Sequence, residues 1–219
     1  MAGFITYWPK DYIKSLKKAG DTGELSVIFG SQHTKMPSIA SVKVGDVIYP
    51  VTLAEETLCV MARLPVEKIE IAFDYLIRET GQIHSALVPE GYALEHEYRS
   101  GGVFYMCNSE KYEDRKDLPE GTKILVPKEM EGKPHKFHQE PQTCCANTAA
   151  SGSHGSKIEA RPLPVEILPE LRFGPRNKEK PLKLGKDGIP SVVSLSGFVR
   201  RMSSETEEIF GKLFSDGKI

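Results

Sequence analysis

The stretch VKVGDVIYPVTLAEETLCVMARLPV, residues 42–66, carries two apolar runs separated by the polar loop Ala54 to Glu56. The first run is entered, not left, through Gly45-Asp46. Glycine and aspartate are turn formers, so the pair supplies a turn ahead of Val47, Ile48, Tyr49 and Val51. TLCVMARL then reads as the returning strand across the loop, and the stretch predicts an antiparallel hairpin.

Outward from the hairpin, GFITYWP (3–9) is a short apolar and aromatic run stopped by Pro9. Tyr12, Ile13, Leu16 and Ala19 then recur at helical spacing up to Gly20, a C-terminal stop. ELSVIFG (24–30) reads as a second strand by its β-branched and aromatic content, and the polar loop SQHTKMPS (31–38) follows it. The spacing of Ile69, Phe73, Leu76 and Ile77 predicts a helix over 69–80, ended by Gly81. Strands are expected around 92–98, 103–107 and 122–126, and a long loop of small and polar residues over 131–164. SVVSLSGFVRRM (191–202) has strand character, and Ser204 with Glu207 forms a capping box for a final helix carrying Ile209, Phe210, Leu213 and Phe214.

The chain of 219 residues, 39% hydrophobic and 27% charged, is long enough to bury a sizeable core. It is read as a single domain over 1–219. No apolar run reaches the length needed to span a bilayer, and the first residues lack the pattern of a signal peptide. The expectation is a cytoplasmic protein with no membrane partner. Cys59, Cys107, Cys144 and Cys145 make no disulfide framework in a chain of this length. A formal net charge of -1 gives no global field for a nucleic acid, so such a partner requires a local patch or pocket.

ITYWP, KVGDVIYPV, LCVMARLPV, EARPLPVEILPELRF (159–173) and VRRMSSETEEIFGKLF (199–214) together resemble the PUA-like superfamily, which includes the EVE, ASCH and YTH groups. The resemblance implies an α+β fold, a PUA-like mixed β-barrel with flanking helices and a long central insertion. Its barrel segments fall at about 1–80 and 155–219, with the insertion at about 81–154. It also implies a pocket at the barrel mouth that takes a nucleic acid or modified nucleotide base by stacking and edge recognition. Tyr7 and Trp8 stand where a stacking platform would; Trp8 reads equally as a core aromatic. Ser31, Gln32 and His33 are candidate readers of a base edge, or plain loop residues. TCCANTAASGSHGSK (143–157) is a candidate second wall, its small residues admitting a ligand to the backbone and Asn147, Ser153 and His154 adding polar groups; the alternative is a surface loop.

Residues 172–201 hold eight cations against two acids, and Arg172, Arg176 and Lys178 are the candidate phosphate contacts. A solvated charged face is the competing reading. His135, His138, Cys144, Cys145 and His154 could ligate zinc by residue type, yet no spacing among them fits a closed tetrahedral site, so no metal is expected. The Gly-x-Ser-x-Gly, phosphate-loop and dinucleotide signatures are missing from the sequence, and no cofactor is expected. The expected function is therefore a non-enzymatic binding module for a nucleic acid or modified nucleotide. The alternatives are a protein-interaction partner of the immunity or antitoxin kind and a small nucleotide-directed hydrolase. No feature of the sequence sets an oligomeric state.

Overall fold

Asp46 stands where three chain segments meet. Its carboxylate accepts the backbone N–H of Ala2 through Oδ1 at 2.8 Å and that of Lys43 through Oδ2 at 3.0 Å. Its carbonyl accepts the N–H of Val66 at 2.8 Å. The preceding Gly45 has φ +91°, a left-handed conformation that a side chain would strain, and its N–H donates to the Val66 carbonyl. The Gly-Asp pair thus does more than turn the chain. It fastens the start of one strand to the N-terminal strand on one side and to the end of the returning segment on the other.

The computed structural model describes residues 1–30, 39–72, 75, 78–79, 93–95, 103–105, 123–125, 148–195 and 199–215. The strands are β1 (Gly3–Tyr7), β2 (Val27–Gly30), β3 (Val47–Ala54), β4 (Thr57–Val60), β5 (Leu64–Pro65), β6 (Lys68–Ile71), β7 (Ala93–Glu95), β8 (Val103–Tyr105), β9 (Lys123–Leu125), β10 (Thr148–Ser151), β11 (Arg161–Pro162), β12 (Arg172–Phe173), β13 (Lys180–Pro181) and β14 (Arg200–Arg201). Helices α1 (Lys10–Ala19), α2 (Val192–Leu195) and α3 (Ser204–Ser215), with a 3-10 turn at Val165–Glu170, complete the described α+β architecture.

The main sheet has the order β11-β4-β3-β1-β14, with β5 also on β3. The β1 and β3 strands run parallel, Gly3 opposite Val47 through Tyr7 opposite Val51. The expected hairpin is present: Glu55 and Glu56, with φ of 48° and 65°, link β3 to β4. Two positive φ angles in a two-residue loop match the right-handed twist of the flanking strands. Pro50 interrupts neither partner, because it sits where β3 changes neighbour from β4 to β5 across a bulge. A proline is tolerated there because the ladder skips a donor.

Alternation along β3 and β1 sorts the core into two halves. Val47, Tyr49, Val51 and Leu53 join Ile5 under a cap made by Leu168, Leu171, Phe173, Met202, Phe210 and Leu213. Ile48 joins Phe4, Trp8, Leu16, Ile28 and Ala150 on the opposite face. A strand buried on both faces reads as a continuous apolar run, which is why VIYPV has no polar alternation. Each large side chain fully buried contributes about 1.5–3 kcal/mol.

The second sheet, β2-β10-β6, has β10 at its centre, Thr148 opposite both Gly30 and Ile71. Residues 148–154, which the sequence assigns to a loop and to the insertion, therefore run through the scaffold. TAAS carries no β-branched or aromatic signal beyond Thr148, and its two alanines are fully buried. Strand β6 likewise occupies the first turn of the helix expected over 69–80; Ala72, Tyr75, Arg78 and Glu79 are helical. The expected strands around 92–98, 103–107 and 122–126 are present as a small sheet in the order β8-β7-β9.

Among the described residues the strands form open sheets, and no closed barrel is found. No helix among them is long and apolar enough to cross a membrane. Near the C-terminus, 192–195 is helical instead of extended. The cap of α3 is Ser203, whose Oγ accepts the Thr206 N–H at 3.2 Å, and Glu207 instead accepts the N–H of Gly3 at 2.9 Å. The expected Ser204–Glu207 capping box is thus not formed: the cap lies one residue earlier, the Ser203 N–H donates to the Arg172 carbonyl, and Glu207 is engaged by β1.

Replacing Asp46 by alanine removes two hydrogen bonds to a charged acceptor and leaves two backbone donors without it at a part-buried junction. A loss of about 2–4 kcal/mol is expected, read as a lower urea midpoint with an unchanged slope. Asp46→Asn, which can accept only one of the two bonds, is expected to fall between.

Candidate cationic cleft

The chain after Pro164 builds a feature that gathers charge of a single sign among the described residues. Following the 3-10 turn, Arg172 and Phe173 pair with Pro181 and Lys180 as a short hairpin. Gly174 (φ +141°) and Asn177 (φ +64°) supply the backbone for its loop. The hairpin is held beside β14: Gly174 donates to the Arg201 carbonyl, Ser203 donates to the Arg172 carbonyl, and Phe173 bridges Met202. Phe173 and Leu182 enter the core beneath.

Between this hairpin, the segment leading into α2, and β14 lies a cleft of about 600 Å³. Its floor is Phe173 and Leu182, its sides Pro175 and Pro181, and Lys178, Lys180, Lys183 and Arg200 line it without an acidic residue among the described ones. The three lysines are exposed, whereas Arg200 is half-buried. Burial lowers the pKa of its guanidinium from the ordinary value. No ion pair or hydrogen bond of that guanidinium is found among the described residues. A desolvated cation in such surroundings gains from an anion more than a fully hydrated one does.

A second cleft of about 850 Å³ is lined by Arg63, His154, Ser156, Glu159, Arg161 and Phe214. Its chemistry is different. Arg161 donates to the carbonyls of Glu159, Met61 and Lys157, lies 3.6 Å from the Glu159 carboxylate, and stacks over the Phe214 ring at 4.6 Å. The charge of Arg161 is already matched within the fold, and Glu159 makes the lining of this cleft mixed in sign.

Of the residues expected to form a base pocket, Tyr7, Trp8, Ser153 and His154 are among the described ones. Tyr7 and Trp8 are consecutive on an extended chain and point to opposite faces. Tyr7 packs half-buried against one half of the core and Trp8 is 2% exposed in the other, edge-on to Tyr12 at 5.3 Å. Trp8 is therefore a core side chain with no open face for stacking. Ser31, Gln32, His33 and Asn147 lie outside the described residues, as do His135, His138, Cys144 and Cys145. Ser153 is exposed and donates to Glu67 from both its N–H (3.0 Å) and its Oγ (2.9 Å). These bonds, the backbone one first, hold the Glu67 carboxyl below its ordinary range. His154 is 3.9 Å from the same carboxylate.

Two glycines of SGSHGS are required by the fold. A Cβ on Gly155 would run into the Leu25 carbonyl oxygen, and one on Gly152 into that of Pro65. The close approach read from sequence is thus made by the chain's own backbone. Residues 152–159 donate to the carbonyls of Ser26, Gly23, Arg63 and Met61, lacing the two sheets together.

Of the three candidate phosphate contacts, Lys178 lines the cationic cleft; Arg172 and Arg176 are exposed and do not. The charge of Arg172 instead acts on Glu205, whose carboxyl is held below its ordinary value first by hydrogen bonding at the helix start and last by that arginine. Lys180, Lys183 and Arg200 were visible as part of a charge cluster but not as a site. The turn sequence GPRNKEKP was the signal that folds Lys178 and Lys180 back beside Phe173. Comparison with protein-family models, curated proteins and solved structures finds no match to the chain.

Two substitutions separate scaffold from site. Trp8→Ala is expected to cost about 3–5 kcal/mol of stability, seen in thermal unfolding, while the fraction that remains folded keeps its full anion affinity. Gly155→Ala forces the linking segment off the Leu25 carbonyl and is expected to cost about 1–3 kcal/mol. A Gly155→Ala protein as stable as the parent would mean that the segment moves freely there.

Proposed function

We propose that the protein is a binding module for a phosphate-bearing ligand, a nucleic acid or nucleotide, which it meets at the cleft lined by Lys178, Lys180, Lys183 and Arg200. The observation that carries this reading is the concentration of four cations, with no acid in the lining, in one concavity of a chain whose formal net charge is only -1. Scattered surface lysines have carboxylates among them; a concave patch of one sign raises the local potential and draws in polyanions. The volume of about 600 Å³ falls in the usual range for small-molecule sites. Phe173, Pro175, Pro181 and Leu182 add apolar surface for a sugar or base beside the charges.

The resemblance of 1–80 and 155–219 to the PUA-like superfamily supports the same class of ligand, since that fold implies recognition of a nucleic acid or modified nucleotide. In this reading the charges, and not Trp8, make the primary contact. Electrostatic attachment through phosphates fixes position without reading sequence, so affinity is expected to depend steeply on salt and weakly on base order.

The test is a salt titration of binding to a single-stranded oligonucleotide followed by fluorescence anisotropy. Each phosphate contact contributes about 0.7 to the slope of log affinity against log salt for a single strand. The triple variant Lys178→Gln, Lys180→Gln, Lys183→Gln is expected to bind weakly and to lower that slope by about 2. Because it relieves repulsion among like charges on exposed side chains, its melting temperature is expected to stay at or above that of the parent. A slope that does not change would show these lysines to be a solvated face.

A further inference from the structure

The four cations of the cleft are not equivalent, and the difference bears on what kind of phosphate they take. Lys178, Lys180 and Lys183 are exposed ammonium groups on the hairpin and the segment after it, whereas Arg200 is half-buried on β14. Its position is set by the fold: the backbone of Arg200 lies opposite Ile5 in the β1 pairing, so the side chain is carried on the sheet itself. The lysine stems swing; the guanidinium is anchored at its base and presents a planar fork of donors.

Resting on the phosphate-binding reading of this cleft, we propose that it takes a phosphomonoester, the terminal phosphate of a strand or of a nucleotide, in preference to an internal phosphodiester. The ground is charge and geometry. An internal phosphodiester carries one negative charge and offers two unbridged oxygens, and it must be flanked by chain on both sides. A monoester carries about -1.5 to -2 at pH 7 and presents three acceptor oxygens on one end. Four cations lining one concavity of about 600 Å³, with no acid in that lining, are better matched by the second. Arg200, the least exposed of the four cations, favours a group with several free oxygens at its end over one flanked by chain on both sides. Bidentate arginine contacts to phosphate are short and strong, and a lysine cannot reproduce their planar geometry.

The experiment uses the full chain and a pair of short oligonucleotides of one sequence, one with a 5′-phosphate and one with a 5′-hydroxyl, together with a nucleoside 5′-monophosphate as competitor. The phosphorylated strand is expected to bind about tenfold more tightly, on the order of one charge-assisted hydrogen bond. Arg200→Gln is expected to erase that preference while leaving the weaker, salt-dependent binding of the hydroxyl strand. Arg200→Lys is expected to retain part of the preference. If Arg200→Gln disturbs folding, the comparison rests on Arg200→Lys and on Lys183→Gln, an exposed rim residue expected to weaken both strands alike. Equal competition by the free monophosphate and by the phosphorylated strand assigns the ligand to a nucleotide; weaker competition by the monophosphate assigns it to a strand end. Binding of the two strands within twofold of each other, with the salt dependence intact, overturns the preference for a monoester and leaves phosphate binding standing. Failure of every probe to bind overturns both.

Discussion

The carboxylate of Asp46 holds the register on which the rest of the chain is built. Parallel strands have no hairpin to set their alignment, and β1 and β3 are separated by a helix, a second strand and a loop. The bond from Ala2 to Asp46 supplies that alignment at the start of the pair. Once Gly3 lies opposite Val47, Phe4 and Ile5 take opposite faces and both halves of the core are defined. A slip of one residue would send each of these side chains to the wrong face. The Glu207 contact to Gly3 closes the same junction from the C-terminal helix, so residues far apart in sequence converge on the first strand.

The cationic cleft depends on this frame indirectly. Arg200 and Arg201 pair with Ile5 and Phe4, and the β12–β13 hairpin leans on β14 through Gly174, Phe173 and Ser203. The cleft is therefore an appendage of the sheet edge, not a hole through a barrel. Its apolar floor belongs to the core and its charges to the solvent side. The buried part of the site cannot be altered without touching stability, whereas the three lysines can be changed with little structural consequence.

The segment 152–159 shows how one chemical signature serves two purposes. Small residues allow close approach, and from sequence alone the approaching group can be a ligand or the protein itself. Here the Leu25 and Pro65 carbonyls occupy the space. Strand β10 was invisible because its buried Ala149 and Ala150, paired on both sides, are not the β-branched residues by which strands are ordinarily read.

Local pattern was enough to place the β3–β4 hairpin, helix α1 with its Gly20 stop, strand β2, the three short strands of the middle region and the final helix, because each rests on periodicity, turn chemistry or a cap within a few residues. The cluster of cations between 172 and 201 was equally legible as composition. What tertiary structure alone decided was partnership. It set β3 parallel to β1, placed β10 between β2 and β6, and moved Glu207 from capping its own helix to holding Gly3. It buried Trp8 on one face while Tyr7 turned to the other, and it selected Lys178, Lys180, Lys183 and Arg200 from eight charges to face one cleft. Each of these outcomes depends on which distant backbone group lies within hydrogen-bond reach or which side chain fills a space, and a linear pattern carries neither distance nor volume.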